Sequence, residues 1–228
     1  MHQFQEMTSK YEHPLDAKLL GIPRLASIPA MLPFIGANYE SPLHKKLLLI
    51  GESCYFPYES TIHKDPAVWY QTKLSDLNES EVSYLNCRAL LSSLGHPMYQ
   101  EISRCIAELP LEGDSDPISQ IAYMNAFFRP APEHGESILH HAEEVDYQFS
   151  HSISEEVINI LSPDLVIYLS KYAWNSSGFH VAKNVTGPVF EKTAHPTSPR
   201  HWNVATYPDG REKFMRILRE QFLEPNTA

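Results

Sequence analysis

The most constraining feature of the sequence is an unbroken apolar run that stops at a glycine. Residues 46–50 read Lys-Leu-Leu-Leu-Ile, and Gly51 is followed at once by Glu-Ser-Cys-Tyr. An apolar run without polar alternation is typical of a strand covered on both faces, as in the parallel sheets of α/β domains. Gly51 permits a sharp exit from the carboxyl end of that strand, where ligands of open α/β sheets bind. We therefore expect Glu52, Ser53 and Tyr55 to face a crevice. The alternative is that Glu52 and Ser53 only cap the next helix.

Three further apolar segments are predicted as strands, and each ends in a distinctive polar residue. The segments and these residues are 118–126 with Asn125, 164–169 with Ser170 and Lys171, and 190–194 with His195. Apolar residues at helical spacing predict helices over 75–94, 97–109 and 211–222. A further helix is predicted over 154–161, opened by Ser154 as its cap with Glu155 and Glu156 in the first turn. The alternation predicts a three-layer α/β/α domain with a central, mostly parallel, four-stranded sheet. Because parallel strands end at one edge of a sheet, we expect Glu52, Asn125 and His195 to surround one crevice.

Size and composition favour a single domain. The chain has 228 residues, of which 43% are hydrophobic, and this is enough for one sizeable core. We expect residues 1–44 to pack on the domain as an N-terminal extension and residues 45–228 to form the domain itself. Residues 1–12 carry polar residues throughout and no apolar core segment, and no apolar run in the sequence approaches the roughly 20 residues of a membrane helix. We therefore expect neither a secretory signal nor a membrane span.

Charge and cysteine usage argue against extensive nucleic-acid binding, a disulfide framework and a metal site. The formal net charge of −10 argues against extensive non-specific binding of nucleic acid, which depends on neutralised phosphates, but it allows a local basic rim. The three cysteines are scattered and lack metal-type spacing, which indicates reduced thiols in a cytoplasmic protein. His140, Glu143 and Glu144 lie within one turn of each other, but no second ligand cluster accompanies them. They indicate a solvated helix face, so no metal site is predicted.

The polar residues at the strand ends suit recognition of a flat polar ligand. An asparagine both donates and accepts, so Asn125 is able to pair with an amide-like edge such as that of a pyrimidine. A neutral His195 is able to donate to an oxygen on which negative charge grows. The structural alternatives are that Asn125 caps a turn and that His195 stabilises its own loop.

The motifs that carry these residues, in this order, resemble the uracil-DNA glycosylase superfamily. The matching stretches span residues 46–202 and are Leu-Leu-Leu-Ile-Gly-Glu-Ser-Cys-Tyr at 47–55, Ala-Tyr-Met-Asn-Ala at 122–126, Ser-Pro-Asp-Leu-Val-Ile at 162–167 with Ala-Trp at 173–174, and Thr-Ala-His-Pro-Thr-Ser at 193–198. The resemblance implies a parallel sheet between helices and a pocket for a nucleotide flipped from the stack. It also implies that Gly51, Tyr55 and Asn125 bind the base, with Tyr55 excluding the thymine methyl group. His195 would stabilise the oxygen of the departing base.

The sequence departs from the superfamily at the first motif. Ser53 stands where the best-known members carry an Asp that orients water or stabilises the cationic sugar, and a neutral serine does neither well. Glu52 falls where another branch carries Glu, so Glu52, Ser53 and His195 are the predicted catalytic residues. Cys54 replaces the customary proline, which leaves the loop less rigid.

The last motif continues into residues that predict contact with nucleic acid. Arg200 is expected to meet a phosphate, and Trp202 to stack on a base. The alternative for Trp202 is a place in the core. Lys171, from the third strand end, is a further expected contact.

These patterns favour a DNA glycosylase that hydrolyses the N-glycosidic bond of a flipped base, with no metal or other cofactor. The expected partner is DNA, bound weakly, either single-stranded or with a flipped base. One alternative is a catalytically inactive module of the same fold that binds nucleobases or nucleic acid. A second is a serine esterase-like hydrolase that uses Ser53. In that group an Asp lies three residues before the His, but here that position is Lys192.

Overall fold

Five strands form one mixed sheet in the order β1-β3-β2-β4-β5. The computed structural model describes residues 13–111 and 116–223. The strands are β1 (Phe34–Ile35), β2 (Leu47–Gly51), β3 (Ile121–Asn125), β4 (Leu165–Tyr168) and β5 (Val189–Lys192). Strands β2 to β5 are parallel and overlap the four predicted segments. β5 begins one residue earlier than predicted and ends two residues earlier, at Lys192. Residues 118–120, predicted as the start of the second strand, instead belong to the 3₁₀ turn Pro117–Gln120. The sheet has five strands rather than four, because β1 adds an antiparallel pair to β3.

The central strand β2 is buried on both faces, as its unbroken apolar run predicts. Leu47 and Leu49 pack in one apolar cluster, whereas Leu48 and Ile50 pack in a second cluster on the other face. Each cluster contains helical residues, so helices cover both faces of the sheet and the protein is an α/β domain of three layers.

Ten α-helical segments surround the sheet in the described residues. They are α1 (Asp16–Leu19), α2 (Pro23–Ser27), α3 (Pro66–Trp69), α4 (Glu79–Leu85), α5 (Cys87–Ser92), α6 (Pro97–Ala107), α7 (Glu144–Leu161), α8 (Lys171–Ala173), α9 (Phe179–Asn184) and α10 (Arg211–Ile217). Wide turns of the π type continue α8 over Trp174–Gly178 and α10 over Leu218–Phe222. Short 3₁₀ turns lie at Pro29–Met31, Leu74–Asp76, Pro117–Gln120 and Ile138–His140.

Two of the predicted helices have different bounds because of local capping. The segment 75–94 contains two helices, since the side chain of Asn86 accepts a hydrogen bond from the amide of Ala89 and starts α5. The helix predicted over 154–161 begins ten residues earlier at Glu144, where Glu143 and Asp146 form a reciprocal capping box. Ser154 is therefore a buried residue inside α7 and not its cap.

Residues 13–44 contribute to the core. Leu19, Ile22 and Leu25 are buried in the same cluster as Leu48 and Ile50. Asp16 forms an ion pair with Arg88 of α5 at 2.6 Å. Residues 1–12 of the predicted extension lie outside the described residues. No helix in the described part of the chain is both long and apolar enough to cross a membrane.

Candidate functional site

The parallel strands end at one edge of the sheet and bring their terminal residues together. Gly51 of β2 lies opposite Asn125 of β3 in the register, and Tyr168 of β4 lies opposite Lys192 of β5. His195 follows β5 by three residues at this edge. We call this edge of the sheet, beyond Gly51 and Asn125 and toward the loop that carries His195, the crevice.

Gly51 is required by a close approach of two side chains. A Cβ atom on Gly51 would lie 2.1 Å from the hydroxyl oxygen of Tyr123 and 2.7 Å from Oδ1 of Asn125. Only glycine leaves room for both groups beside the strand. The glycine therefore places Asn125 directly against the backbone of β2.

The amide of Asn125 is oriented by a buried tyrosine that the sequence interpretation missed. The hydroxyl of Tyr123 donates to Oδ1 of Asn125 at 2.8 Å. Its ring meets the ring of Tyr99 on α6 edge to face, with 5.3 Å between the ring centroids. Burial raises the pKa of both hydroxyl groups, so both are protonated donors at neutral pH. Within the described residues Nδ2 of Asn125 has no partner, so it is available to a ligand.

Glu52 is held by two serine hydroxyl groups from different elements. Ser137 Oγ donates to Oε1 at 2.5 Å, and Ser170 Oγ donates to Oε2 at 3.0 Å. Ser170 also accepts from the amide of Ala173 and so caps α8. The carboxylate is thus fixed in direction by a strand end and by the loop after β3. The alternative that Glu52 and Ser53 cap the next helix is wrong, because the following helix α3 begins at Pro66 with Asp65 as its cap.

Tyr55 borders the crevice as part of an aromatic stack. Its ring lies 5.1 Å from the ring of His134, which in turn lies 4.5 Å from the exposed ring of Tyr58. Burial, followed by the negative charge of Glu52, raises the pKa of Tyr55. The phenol therefore stays neutral and lies near the carboxylate.

His195 presents one ring nitrogen as a donor. Its Nδ1 accepts from the amide of Thr197 at 3.3 Å and lies 2.9 Å from the Thr197 hydroxyl. This pairing assigns the proton of the neutral ring to Nε2. Burial, with a smaller effect from His96, lowers the pKa of His195 to about 4. The imidazole is therefore neutral across the physiological range.

His96 is a neighbour of this site that the sequence interpretation missed. It caps α6 through its Nδ1, which accepts from the amide of Met98, and its ring meets that of Tyr99 at 5.8 Å. A His-Pro pair at the start of a predicted helix was the available signal for the cap. Its proximity to His195 was not readable, because the two residues are almost a hundred positions apart.

Two residues of the first motif do not form a nucleophilic centre. The hydroxyl of Ser53 makes no hydrogen bond to the described residues, and Nδ1 of His195 accepts from Thr197 instead of donating to a carboxylate. The thiol of Cys54 packs near Phe56 and Trp69, and burial raises its pKa to about 12. The described residues around Ser53 therefore lack the serine–histidine–carboxylate arrangement of a serine hydrolase.

The predicted nucleic-acid contacts separate into one buried residue and two exposed ones. Trp202 is 1% exposed, and its Nε1 donates to Glu101 at 3.0 Å. Its prediction as a stacking residue is therefore wrong, and the core alternative holds. Arg200 is exposed in the loop after β5, and Lys171 is exposed directly after Ser170.

Other regions of the described chain do not offer a better site for chemistry. No group of three His, Cys, Asp or Glu side chains within residues 13–111 and 116–223 is arranged to hold a metal ion. A groove of about 570 Å³ lies between α10 and the preceding loop, and its lining, which includes Tyr207, Arg216 and Arg219, contains none of the predicted site residues.

The sequence matches no family model and no curated protein. We therefore infer function from the geometry of the crevice and from the resemblance of its motifs.

Proposed function

We propose that the protein is a uracil-DNA glycosylase-like enzyme that hydrolyses the N-glycosidic bond of a base held in the crevice. One observation carries the proposal: an oriented asparagine amide, a neutral histidine donor and a fixed carboxylate share one edge of the sheet. These three groups are suited to binding a flat base and to cleaving its bond to the sugar.

Recognition of the base falls to Asn125 and Tyr55. Nδ2 of Asn125 donates to a carbonyl oxygen of the base, while Oδ1 keeps one lone pair for a ring N–H after accepting from Tyr123. The partly buried ring of Tyr55 bounds the space beside the base. A pyrimidine with a carbonyl oxygen next to a ring N–H, such as uracil, satisfies both atoms of the amide.

Bond cleavage is assigned to His195 and Glu52. As the bond between sugar and base breaks, negative charge grows on the base and positive charge on the sugar. The Nε2–H group of neutral His195 donates to the oxygen that gains charge, and it needs no proton transfer to do so. The carboxylate of Glu52, whose oxygens two hydroxyl groups hold in place, stabilises the cationic sugar and orients a water molecule toward it. As the water oxygen bonds to the sugar carbon that the base has left, the carboxylate accepts the proton that the water loses.

A panel of labelled oligonucleotides containing uracil, hypoxanthine or xanthine tests this function through the appearance of alkali-labile sites. We expect cleavage at uracil. In single-turnover experiments, Glu52→Gln lowers the rate by roughly 10²-fold or more, which is the scale of one positioned acid-base or electrostatic group. Glu133→Gln removes an exposed carboxylate and serves as the matched control. Cleavage by Glu52→Gln at the wild-type rate would remove the carboxylate from the mechanism.

A second candidate is a binding module with the same pocket and no chemistry. It is favoured by Ser53, which supplies no charge where the best-known glycosylases carry Asp. Saturable binding of a uracil-containing oligonucleotide, without cleavage at any of the tested bases, would support this candidate over the enzyme.

A further inference from the structure

The positive charge of this acidic protein is concentrated in its C-terminal third. Residues 165–223 contain eight Lys or Arg and four Asp or Glu, whereas residues 1–164 contain ten Lys or Arg and 23 Asp or Glu. The segment that follows β4, residues 171–184, contains no acidic residue. Its neighbour on α7 is acidic, since Glu155 accepts from Asn184 at 2.8 Å and lies 3.7 Å from His180. Lys171 and Lys183 are therefore the cations that this segment itself offers to a polyanion.

The segment 171–184 exposes aromatic rings beside lysines. Tyr172 is 65% exposed and Phe179 is 53% exposed. Lys171 adjoins Tyr172 in the chain and is exposed, and Nζ of Lys183 lies 4.1 Å from the ring centroid of Phe179. We call Lys171, Tyr172, Phe179 and Lys183 the 171–184 face.

The 171–184 face begins at the crevice. Ser170 donates to the carboxylate of Glu52 and caps the helix that carries Lys171 and Tyr172. On the other side of β2, toward β3, the stack of Tyr55 and His134 ends in Tyr58, which is 79% exposed. Exposed aromatic rings thus flank the crevice on both sides.

We propose that the 171–184 face is a docking surface for single-stranded nucleic acid, along which the strand leads to the crevice. This inference rests on the proposed function. Exposed aromatic rings with cations beside them fit a single strand, because bases stack on the rings while lysines contact the phosphates, with little dependence on sequence. Tyr172 and Phe179 supply the stacking for which Trp202 is not available.

Fluorescence anisotropy with the full chain and a labelled 15-residue oligothymidine tests this surface without requiring base excision. Tyr172→Ala and Phe179→Ala are each expected to weaken binding by roughly 5- to 100-fold, the range for losing one stacked base. Tyr172→Leu, which keeps apolar bulk, should show a similar loss. Tyr84→Ala removes an exposed tyrosine on α4 and should bind as the wild type does.

The salt dependence of binding tests the two lysines. In Lys171→Ala/Lys183→Ala, the log–log slope against salt concentration should become shallower by about 1.4, because each single-strand phosphate contact contributes roughly 0.7. The control Lys18→Ala/Lys73→Ala removes two exposed lysines outside the face and should leave the slope unchanged. An equal change in the control would overturn the assignment.

The outcomes separate this inference from the proposed function. Wild-type binding that the Tyr172 and Phe179 variants lose supports the surface even if no base is excised. If the Tyr172 and Phe179 variants bind the oligonucleotide as tightly as the wild type does, the proposed surface is overturned. Excision of uracil by the wild type and by these variants would then leave the glycosylase proposal intact. Absence of wild-type binding at 20 mM salt overturns the surface. Binding to phosphatidylserine vesicles instead of the oligonucleotide would overturn it in favour of a membrane.

Discussion

The buried ion pair between Arg129 and Asp146 yields a prediction whose magnitude follows from the structure. Both side chains are 0% exposed. Nε and Nη2 of Arg129 donate to the carboxylate at 2.8 and 2.6 Å, and Arg129 also donates to the backbone carbonyls of His63 and His141. Asp146 further accepts from the hydroxyl of Tyr70 at 2.9 Å. The pair thus joins α7 to two loops.

Asp146→Ala removes the carboxylate and leaves the guanidinium buried without its counter-ion. Breaking one partner of such a pair costs about 3–5 kcal/mol of the free energy of unfolding. For a chain of this size each kcal/mol lowers Tm by roughly 2–4 °C, so Tm should fall by about 6–20 °C. Ser137, which donates to Glu52, lies in the same loop as His141. Loss of the ion pair should therefore also leave the Glu52 carboxylate less firmly oriented.

Urea unfolding followed by circular dichroism measures the predicted loss. Glu133→Ala breaks the exposed Lys64–Glu133 pair and should change the free energy of unfolding by less than about 1 kcal/mol. The double variant Arg129→Met/Asp146→Leu should be more stable than Asp146→Ala, because it leaves no unpaired buried charge. A loss below about 1 kcal/mol in Asp146→Ala, or a double variant less stable than the single, would refute this reasoning.

Three further predictions concern the crevice. Tyr123→Phe removes the hydroxyl that orients Asn125 and should lower kcat/KM on a uracil substrate by about 2- to 12-fold, the equivalent of one net hydrogen bond; an unchanged kcat/KM would exclude this orienting role. Gly51→Ala should destabilise the fold by about 1–3 kcal/mol through overpacking and weaken base binding more than Tyr123→Phe does, as measured by thermal unfolding and uracil titration. Because the pKa of His195 is lowered to about 4, its ring stays neutral and activity should remain constant as the pH falls through 6.5. The contribution of His195 to stability is complete above pH 6.5 and should decline between pH 6.5 and 4. A proton NMR titration of His195 with a midpoint near 6.5 would contradict both statements.

The parallel strands were predictable because each is a short apolar run that ends abruptly in polar residues. β2 is the clearest case, since burial on both faces removes the polar alternation that would otherwise obscure its type. Once the four strands are taken as parallel, the contact between Glu52 and Ser170, two residues beyond the end of β4, follows without further information. The hydrogen bond between Glu52 and Ser170 bears this out.

Other features depend on partners that are distant in the sequence. The two residues of β1 lie just after Pro33 and are too few to show a period. Trp202 is buried because Glu101, about a hundred residues earlier, accepts its indole N–H. Ser137 reaches Glu52 only through the course of the loop after β3, and no local pattern distinguishes it from other loop serines.

The pairing of β1 with β3 sets an order of events during synthesis. Phe34 pairs with Tyr123, so the first strand to be made has no partner until 89 further residues have been added. At roughly 5–20 residues per second, this takes about 4 to 18 s. During that interval the apolar residues of α1, α2 and β1 have no sheet to cover. Leu19, Leu25 and Phe34, which are buried in the folded protein, therefore remain exposed on the nascent chain for that time.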